Sequence, residues 1–523
     1  MSPGIQVIGD TSIKLRIEAA LGDAGYDTEN GRGLAVVADW PDAKGLRNLS
    51  EQLSVPWILV EDAEDGRAAV GPLFRQGRGG CFGCYIARRR ANGGKECRPL
   101  GSASEAVLDQ VRGQVAAFFA SESLLSNEQI EVSAGGAVAR HVFLPVPTCR
   151  SCAVGERELT CESLVGDRLG LVHEVRLLRG VPEPFVAALA SGCRTDAFLA
   201  NRALNRGMAV DETVAQARRR AIGESIERYC AAAMPQDLPF SRAGDLEGPY
   251  LDPRRFGVLQ GGWEPETSAI RWVRAHSLVG NRRIWVPASA VFVPYADPWG
   301  EPILELQNSV GIAAHASLDQ AILHGLAEVL ERDACLRAWR WRLPVEAIQD
   351  RPIAVDGLHL ARVPSGSGLQ VVAAFLERGE PPLTSTGMAA RHSLRDAARH
   401  ATLEALLSQL WLRDWLATNG HEHPRVPRTM IDNAVAHAVR GELRVSRWPW
   451  LRPGRSAGAG QDPTPWAAVR DRVPEACFVD LTTPDVAAAG VRVVRVLVPD
   501  KVLSDDDALR PRLGGDPTPH PFG

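Results

Sequence analysis

Short apolar runs alternate with a helical pattern at the start of the chain. Ile5–Gly9, Leu34–Ala38 and Trp57–Val60 have the length and the apolar composition of buried strands. Between the first two runs, the apolar residues of Ser12–Ala24 recur at helical spacing. This order predicts a βαβαβ unit. The turn Ile8–Thr11 lacks the further glycines that let a backbone wrap a pyrophosphate, so we expect this unit to bind no nucleotide.

The pattern changes after Cys152. Before that point, the glycine-rich stretch Gln76–Gly80 leads into a first pair of cysteines, and Ser102–Ser121 has the spacing of a helix. Beyond it, longer helical patterns alternate with short strands. We therefore predict two domains, residues 1–155 and residues 156–523.

Composition excludes several classes of protein. The chain has 523 residues, of which 45% are hydrophobic and 23% charged, as in ordinary globular proteins. Its 59 basic and 63 acidic residues give a net charge of -4, so no global field attracts nucleic acid or an anionic membrane. The first residues lack the pattern of a signal peptide, and no run of about 18 apolar residues occurs. We expect a cytoplasmic protein.

Four of the ten cysteines form two Cys-x-x-Cys pairs, Cys81/Cys84 and Cys149/Cys152. In a reducing cytosol these are more plausible as metal or redox ligands than as disulfides. A two-residue gap lets both sulfurs of a pair face one tetrahedral ion, and four thiolates suit a closed structural Zn²⁺ site. A redox pair is the alternative, but it needs a single reactive pair at a helix N-terminus.

The motif Glu-x-x-Glu-Arg occurs twice in the second predicted domain, which indicates an internal duplication. Glu224 and Glu227 belong to the first copy, and Glu328 and Glu331 to the second. Positions three apart share one face of a helix, so two such helices would bring four carboxylates together. Carboxylates of this kind suit Mg²⁺ held beside phosphates. A single copy would more often be a solvated helix face, and the repetition is what favours a site.

At this point the sequence resembles the YcaO superfamily, specifically azoline-forming cyclodehydratases with a fused ThiF-like, E1-like zinc domain. The resemblance rests on four features: the Gly71-Pro72-Leu73 approach to Cys-Phe-Gly-Cys, the Ala221–Tyr229 run, the Glu328–Ala334 run and the Pro-rich terminus. It implies an α/β (α+β) fold, in which an E1-like Rossmann-type zinc domain precedes a large YcaO-type α/β domain with the duplication.

The resemblance also implies the activity and the residues that carry it. The expected reaction is ATP-dependent cyclodehydration of Cys, Ser or Thr in a ribosomal precursor peptide, by phosphorylation of the backbone amide oxygen. The four glutamates would hold Mg²⁺. Three further residues would contact the ATP phosphates: Arg332, Arg206 and Ser309.

The Pro-rich terminus would reach into the active site. Its Pro-x-Pro-x-Pro match is Pro517, Pro519 and Pro521, or alternatively the last five residues with the final Pro replaced. A disordered end is the general expectation for such a terminus, and only the resemblance favours an active-site role.

Several positions depart from the usual pattern of the family. Arg206 stands where Lys is common, and Arg220 stands where Ser is common. Val310 replaces an amide side chain, and His315 and Gln320 replace Gly and Glu. We interpret His315 as a packed or surface residue and not as a catalytic base. These departures leave open the alternative of a weakened or partner-dependent ATP site.

The expected partners also follow from the resemblance. They are the precursor peptide, a separate leader-peptide-binding protein, a flavin-dependent azoline dehydrogenase and a second copy of the chain. The chain begins directly with the Ile5–Gly9 strand, which is why we expect leader binding from a separate protein. Two alternatives stay open: a YcaO-type enzyme that forms thioamides or amidines, and a non-catalytic scaffold of the same pathway.

Overall fold

The structure is a computed structural model that describes most of the chain. The described residues are 4–9, 12–29, 33–63, 65–75, 79–120, 128–152, 159–200, 202–256, 263–280, 282–295, 301, 307–421, 429–441, 451–452, 464–503, 515 and 520–522.

Strands and helices alternate along the described parts of the chain. The strands are β1 (Ile5–Ile8), β2 (Leu34–Val37), β3 (Trp57–Asp62), β4 (Ala68–Phe74), β5 (Arg98–Pro99), β6 (Glu128–Val132), β7 (Val138–Val142), β8 (Val172–Leu178), β9 (Val186–Gly192), β10 (Arg206–Asp211), β11 (Phe240–Ser241), β12 (Ile270–Ser277), β13 (Arg283–Pro287), β14 (Ile312–His315), β15 (Val345–Ile348), β16 (Leu358–Val363), β17 (Gln370–Glu377), β18 (Thr384–Arg391), β19 (Leu451–Arg452), β20 (Cys477–Asp480) and β21 (Arg492–Leu497). The helices are α1 (Ser12–Asp23), α2 (Ala43–Gln52), α3 (Phe82–Ala91), α4 (Glu105–Phe119), α5 (Val214–Ala232), α6 (Leu318–Arg340), α7 (Leu394–Asn419), α8 (Met430–Val439), α9 (Trp466–Asp471) and α10 (Pro484–Ala487).

The chain divides into two compact units, and each is built from more than one segment. Unit 1 comprises Met1–Glu174, Ser191–Ala203 and Thr483–Val491. Unit 2 comprises Val175–Ala190, Leu204–Thr482 and Arg492–Gly523. The two domains predicted at 1–155 and 156–523 stay a prediction.

The βαβαβ pattern of the first residues is present in unit 1. β1, β2 and β3 pair in parallel, with Val7 opposite Val36 and Val36 opposite Ile58. β4, β6 and β7 extend this sheet antiparallel, and β5 pairs with β3. The predicted helix over Ser102–Ser121 is α4, which begins after Ser104, whose side chain accepts a hydrogen bond from the Val107 amide.

The core of unit 1 lies on both faces of this sheet. Apolar side chains of α1 and α4, such as Ile17 and Val111, cover one face. α3 covers the other face, where Tyr85 packs with Phe74 and Phe143. Burial on both faces explains why the strands read as continuous apolar runs.

Unit 2 contains several sheets, and most of their described strand pairs are antiparallel. One sheet has the order β11-β12-β20-β21-β14 with β13 beside β12, and another has the order β18-β17-β16-β15-β19. A third sheet has the order β10-β9-β8. The predicted α/β (α+β) fold class is confirmed by this mixture of sheets and helices, and by the structural likenesses described below.

Candidate active site and candidate metal centre

Three strand–helix connections of unit 2 share one construction. β10 leads into α5, β14 into α6 and β18 into α7, and two residues separate each strand from its helix. The residue before each helix is a hydroxyl residue with extended backbone: Thr213, Ser317 and Ser393. Thr213 and Ser393 accept hydrogen bonds from backbone amides in the first turn. These residues start each helix at a fixed distance from its strand.

On each of these helices, one glutamate accepts a hydrogen bond from the backbone of the strand segment that precedes the helix. Glu224 accepts a hydrogen bond from the Met208 amide at 2.7 Å, and Glu328 accepts one from the Gly311 amide at 2.9 Å. On α7, Glu404 accepts one from Met388 at 3.2 Å. The backbone therefore fixes three carboxylates in equivalent places.

The second glutamate of each motif reaches the next strand. Glu227 accepts from the Ala314 amide at 2.7 Å, and Glu331 accepts from the Ala390 amide at 2.9 Å. Each of these bonds joins one strand–helix connection to the next. The two predicted pairs are thus brought into a single group of five carboxylates, with Glu404 as the fifth.

Glu404 was missed in the sequence because its helix lacks the repeated motif. Leu407 stands three residues after it, where the other two helices carry a second glutamate. The available signal was weaker: a hydroxyl residue, Ser393, opens this helix eleven residues before Glu404, as Thr213 opens α5 eleven residues before Glu224. The predicted duplication is therefore part of a threefold arrangement.

Burial dominates the electrostatics of this glutamate group. It raises the pKa of Glu328 to about 7 and that of Glu331 to about 8, and it also raises the pKa of Glu227 and of Glu404. Repulsion adds to the effect, since Glu224 acts on Glu227, and Glu404 acts on both Glu328 and Glu331. Such carboxylates are fully ionised only when a cation offsets their charge.

The donor set fits Mg²⁺. All five groups are carboxylates, and hard oxygen ligands suit this ion. At Glu227, Glu328 and Glu331 one oxygen is taken by a backbone amide and the other faces no protein donor among the described residues.

A pH dependence follows from these raised pKa values. If these carboxylates hold Mg²⁺, the ion has to displace protons from Glu328 and Glu331, and its affinity should then rise between pH 6 and pH 9, by roughly tenfold or more. The folded pKa exceeds the unfolded value, so the metal-free protein binds extra protons and loses stability as pH rises from about 5 to about 8. The Mg²⁺-induced increase in Tm, measured by calorimetry, should therefore be larger at pH 8 than at pH 6. An increase that is independent of pH would contradict this role of the carboxylates.

The predicted phosphate contacts lie in different environments. Arg332 is 9% exposed, and its charge stabilises the ionised forms of Glu328 and Glu331. Arg206 and Ser309 are exposed. The assignment of Arg332, Arg206 and Ser309 to ATP phosphates remains a prediction.

Arg495 was not found from the sequence. It is 1% exposed, and its guanidinium donates to the Asn308 carbonyl at 2.9 Å. Its charge also acts on Glu328. Arg495 therefore supports the loop whose Gly311 amide binds that glutamate.

The departures from the family pattern have distinct surroundings. Val310 is 2% exposed and belongs to the hydrophobic core, so this side chain contributes packing. His315 packs edge-on against His324 at 5.3 Å between ring centroids and accepts from the Ser317 amide. Arg220 forms an ion pair with Asp211 at 3.3 Å. Gln320 is exposed.

The last described residues, 520–522, are buried in unit 2. Thr386 donates a hydrogen bond to the Pro521 carbonyl at 2.7 Å. Phe522 is 3% exposed and lies near Trp339 and Phe375, at 6.3 Å and 6.1 Å between ring centroids. Pro517 and Pro519 lie outside the described residues. The catalytic assignment of the three prolines stays a prediction.

The four cysteines of the two pairs converge in unit 1. Cys81 precedes α3 and Cys84 lies in its first turn, whereas Cys149 and Cys152 lie in a turn after β7. Their Sγ atoms are 3.5–4.0 Å apart along four edges of the cluster and all lie within 4.8 Å of one another. Tetrahedral Zn²⁺ with Zn–S bonds of about 2.3 Å places sulfurs about 3.8 Å apart, so the cluster fits this ion.

Local structure supports the position of this cysteine cluster. The Cys81 amide donates to the sulfur of Cys152 at 3.1 Å. Gly80 lies so close to Phe143 that a Cβ at this glycine would be 2.3 Å from the ring. A larger residue there would therefore displace the segment that carries the first pair.

A comparison with protein families identifies the class of this chain. Residues 210–501, more than half of the chain, match the family model described as YcaO cyclodehydratase, ATP- and Mg²⁺-binding. The chain belongs to this family. The matched segment contains all five glutamates of the site and the three helices that carry them.

Curated relatives match parts of the chain. An uncharacterized protein of Methanothermobacter thermautotrophicus is 36% identical over 167 residues, which are 32% of this chain and 39% of that protein. The chain thus spans less than half the length of that relative. An uncharacterized protein of Mycobacterium tuberculosis is 28% identical over 317 residues, which are 56% of this chain and 70% of that protein.

Solved structures show the same fold. A heterocyclase in complex with substrate and cofactor superposes with a TM-score of 0.71 at 17% identity, covering 100% of this chain and 85% of its own. The heterocyclase TruD superposes with a TM-score of 0.63 at 17% identity, covering 99% and 83%. The E. coli microcin synthetase McbBCD complex superposes with a TM-score of 0.50 at 14% identity, covering 63% of this chain and 88% of its own.

In the part of the chain that the structure describes, no helix is both long and apolar enough to span a bilayer.

Proposed function

We propose that this chain catalyses the ATP-dependent cyclodehydration of Cys, Ser or Thr residues in a ribosomally made precursor peptide. The products would be thiazoline or oxazoline rings. The observation that carries this proposal is the group of five glutamates that backbone amides hold within the segment matching the YcaO cyclodehydratase family. The full-length likeness to two heterocyclases supports it.

The proposed reaction conserves all atoms. The sulfur or oxygen of the substrate side chain bonds to the preceding carbonyl carbon and loses its proton. The resulting oxyanion attacks the γ-phosphorus of ATP, and ADP leaves. Loss of the amide N–H proton then forms the C=N bond and expels phosphate. The peptide loses one water per ring while ATP becomes ADP and phosphate.

The residues of this chain would hold and orient the reactants. Mg²⁺ would offset the negative charge on the transferring phosphoryl group. Glu224, Glu227, Glu328 and Glu331 would hold the ions, and Glu404 would join them as a fifth ligand. At Glu224 the ion would share the oxygen that pairs with Arg228 at 2.6 Å, since the other oxygen accepts from Met208. Arg332 would offset charge from the buried side of the site.

The second metal and the partners complete the proposal. Cys81, Cys84, Cys149 and Cys152 would hold a structural Zn²⁺ in unit 1. The similar proteins include a heterocyclase with substrate bound and the components of a microcin synthetase complex, which supports a peptide substrate and protein partners here. The resemblance of the sequence to the family leads us to propose also a separate leader-peptide-binding protein, a flavin-dependent azoline dehydrogenase and a homodimer.

The direct test is intact-mass spectrometry of a candidate precursor peptide encoded beside this protein. The peptide is incubated with the chain, its leader-binding partner, Mg²⁺ and ATP, and a parallel reaction contains a non-hydrolysable ATP analogue. Successive losses of one water, seen only with ATP and matched by ADP release, are the expected result. A mass gain that requires a sulfide source would instead identify thioamide formation.

A non-catalytic scaffold is the remaining alternative. Arg220, Val310, His315 and Gln320 motivate it, because they depart from the usual family residues. Val310 contributes to the core, however, and the glutamates keep their backbone hydrogen bonds. Binding of the peptide without mass change or phosphate release would favour the scaffold.

A further inference from the structure

The three strands that precede the glutamate-bearing helices end in residues of different charge at equivalent positions. Asp211 ends β10, His315 ends β14 and Arg391 ends β18, and each lies two residues before the residue that caps the next helix. The pseudo-threefold arrangement therefore places an acid, an imidazole and a guanidinium around the same site.

The acidic strand end is already neutralised by the protein. Asp211 is 5% exposed and forms ion pairs with Arg220 at 3.3 Å and with Arg399 at 3.2 Å. Arg399 also pairs with Glu212 at 2.9 Å. The charges at this strand end therefore already have partners within the protein.

The basic strand end lacks such a partner. Arg391 is half-buried, and its guanidinium donates to its neighbour's carbonyl, that of Ala390, at 2.8 Å. Among the described residues, no carboxylate oxygen lies within 4.0 Å of this guanidinium. A half-buried arginine with no carboxylate in ion-pair contact leaves most of its five donors available for an anion.

The surroundings of Arg391 narrow the chemistry of that anion. The amide of the preceding residue, Ala390, binds Glu331, and the charge of Arg391 stabilises the ionised forms of Glu331 and Glu404. Desolvation and then the charge of Arg391 lower the pKa of His324. Arg391 thus acts on two of the site's carboxylates and on the imidazole of His324, whose pKa burial lowers first and the charge of Arg391 lowers further.

We propose that Arg391 binds the terminal phosphates of the nucleotide, opposite the Mg²⁺ ions that the glutamates hold. A phosphate group can bind Mg²⁺ through one oxygen and an arginine fork through two others, which a peptide carboxylate cannot do at once. Arg391 is then a phosphate-binding residue that selects nucleoside triphosphates over monophosphates. This inference rests on the nucleotide binding proposed above.

The test compares Arg391→Gln and Arg391→Lys with a matched control, Arg395→Gln. Arg395 is exposed on the first turn of α7 and loses the same charge. Affinities for Mg·ATP and Mg·AMP are measured by calorimetry on the full chain. Arg391→Gln should weaken the affinity for Mg·ATP roughly ten- to hundredfold and change the affinity for Mg·AMP by less than about threefold. Arg391→Lys should recover part of the loss, and Arg395→Gln should match the wild type.

Two results would overturn the inference. Unchanged ATP affinity in Arg391→Gln would remove Arg391 from the phosphate site, and an equal loss for ATP and AMP would indicate a structural role. A folded wild-type chain that binds no Mg·ATP would instead refute the nucleotide binding proposed for the glutamate site, and the Arg391 inference with it. The wild-type titration therefore separates the two failures.

Discussion

Peptide-dependent water loss and phosphate release should both fall by roughly a hundredfold or more in a Glu328→Gln variant. Glu328 is a proposed direct Mg²⁺ ligand, and even residues that only orient metal ligands cost about 10–100-fold when replaced. Glutamine keeps an oxygen that can accept the Gly311 amide hydrogen bond while it removes the charge. Loss of activity would then report the charge and not the fold. Intact-mass spectrometry of the peptide and a phosphate assay measure the two effects.

The control for this experiment is Glu346→Gln. Glu346 lies on β15 in the same unit, its side chain is 67% exposed, and it faces Arg362 at 3.8 Å. This replacement removes the same charge where an ion pair contributes little, so activity should stay at the wild-type level. If both variants kept full activity, the glutamate group would not be the ATP site.

The Glu328 experiment tests the assignment of Glu328 as a Mg²⁺ ligand, which the spacing of the glutamates in the sequence already suggested. The spacing of Glu224 and Glu227, and of Glu328 and Glu331, is a local property of a helix, and these two pairs lie on α5 and α6. The backbone amides that bind these glutamates could not be predicted, because an amide has no side-chain signature. Glu404 could not be predicted for a related reason. Its helix lacks the repeated motif, and only the threefold arrangement of the strands and helices brings it to the site.

Long-range contacts explain the remaining differences between sequence and structure. The parallel strands of unit 1 are separated by short helical segments, so the pattern of apolar residues was sufficient to predict them from the sequence. Thr483–Val491 returns to unit 1 from near the end of the chain, where Asp485 forms a fully buried ion pair with Arg88. Asp485 reads as an ordinary surface acid in the sequence. A buried carboxylate needs such a partner, but which arginine supplies it depends on the tertiary fold.

The cysteine cluster gives the second large effect that we expect. A Cys84→Ser variant should lose bound zinc and destabilise unit 1 by at least about 3 kcal/mol, because a structural zinc site contributes its binding free energy to folding. Cys84 is 1% exposed, and its sulfur lies 3.7 Å from Cys81 and 3.9 Å from Cys152. For a unit of this size, the fall in Tm should be roughly 10 °C. Elemental analysis and calorimetry measure zinc content and Tm.

The matched control is Cys161→Ser, since Cys161 is a half-buried cysteine of unit 1 outside the cluster. It should retain zinc and the wild-type Tm, and a chelator should lower the Tm of the wild type but not that of Cys84→Ser. A redox pair would behave differently: the isolated wild type would contain no zinc, and oxidation would remove two hydrogens and join Cys81 to Cys84. The present spacing of these sulfurs is nearly twice a disulfide bond length of about 2.05 Å and matches the edge of a zinc tetrahedron, so we expect the metal.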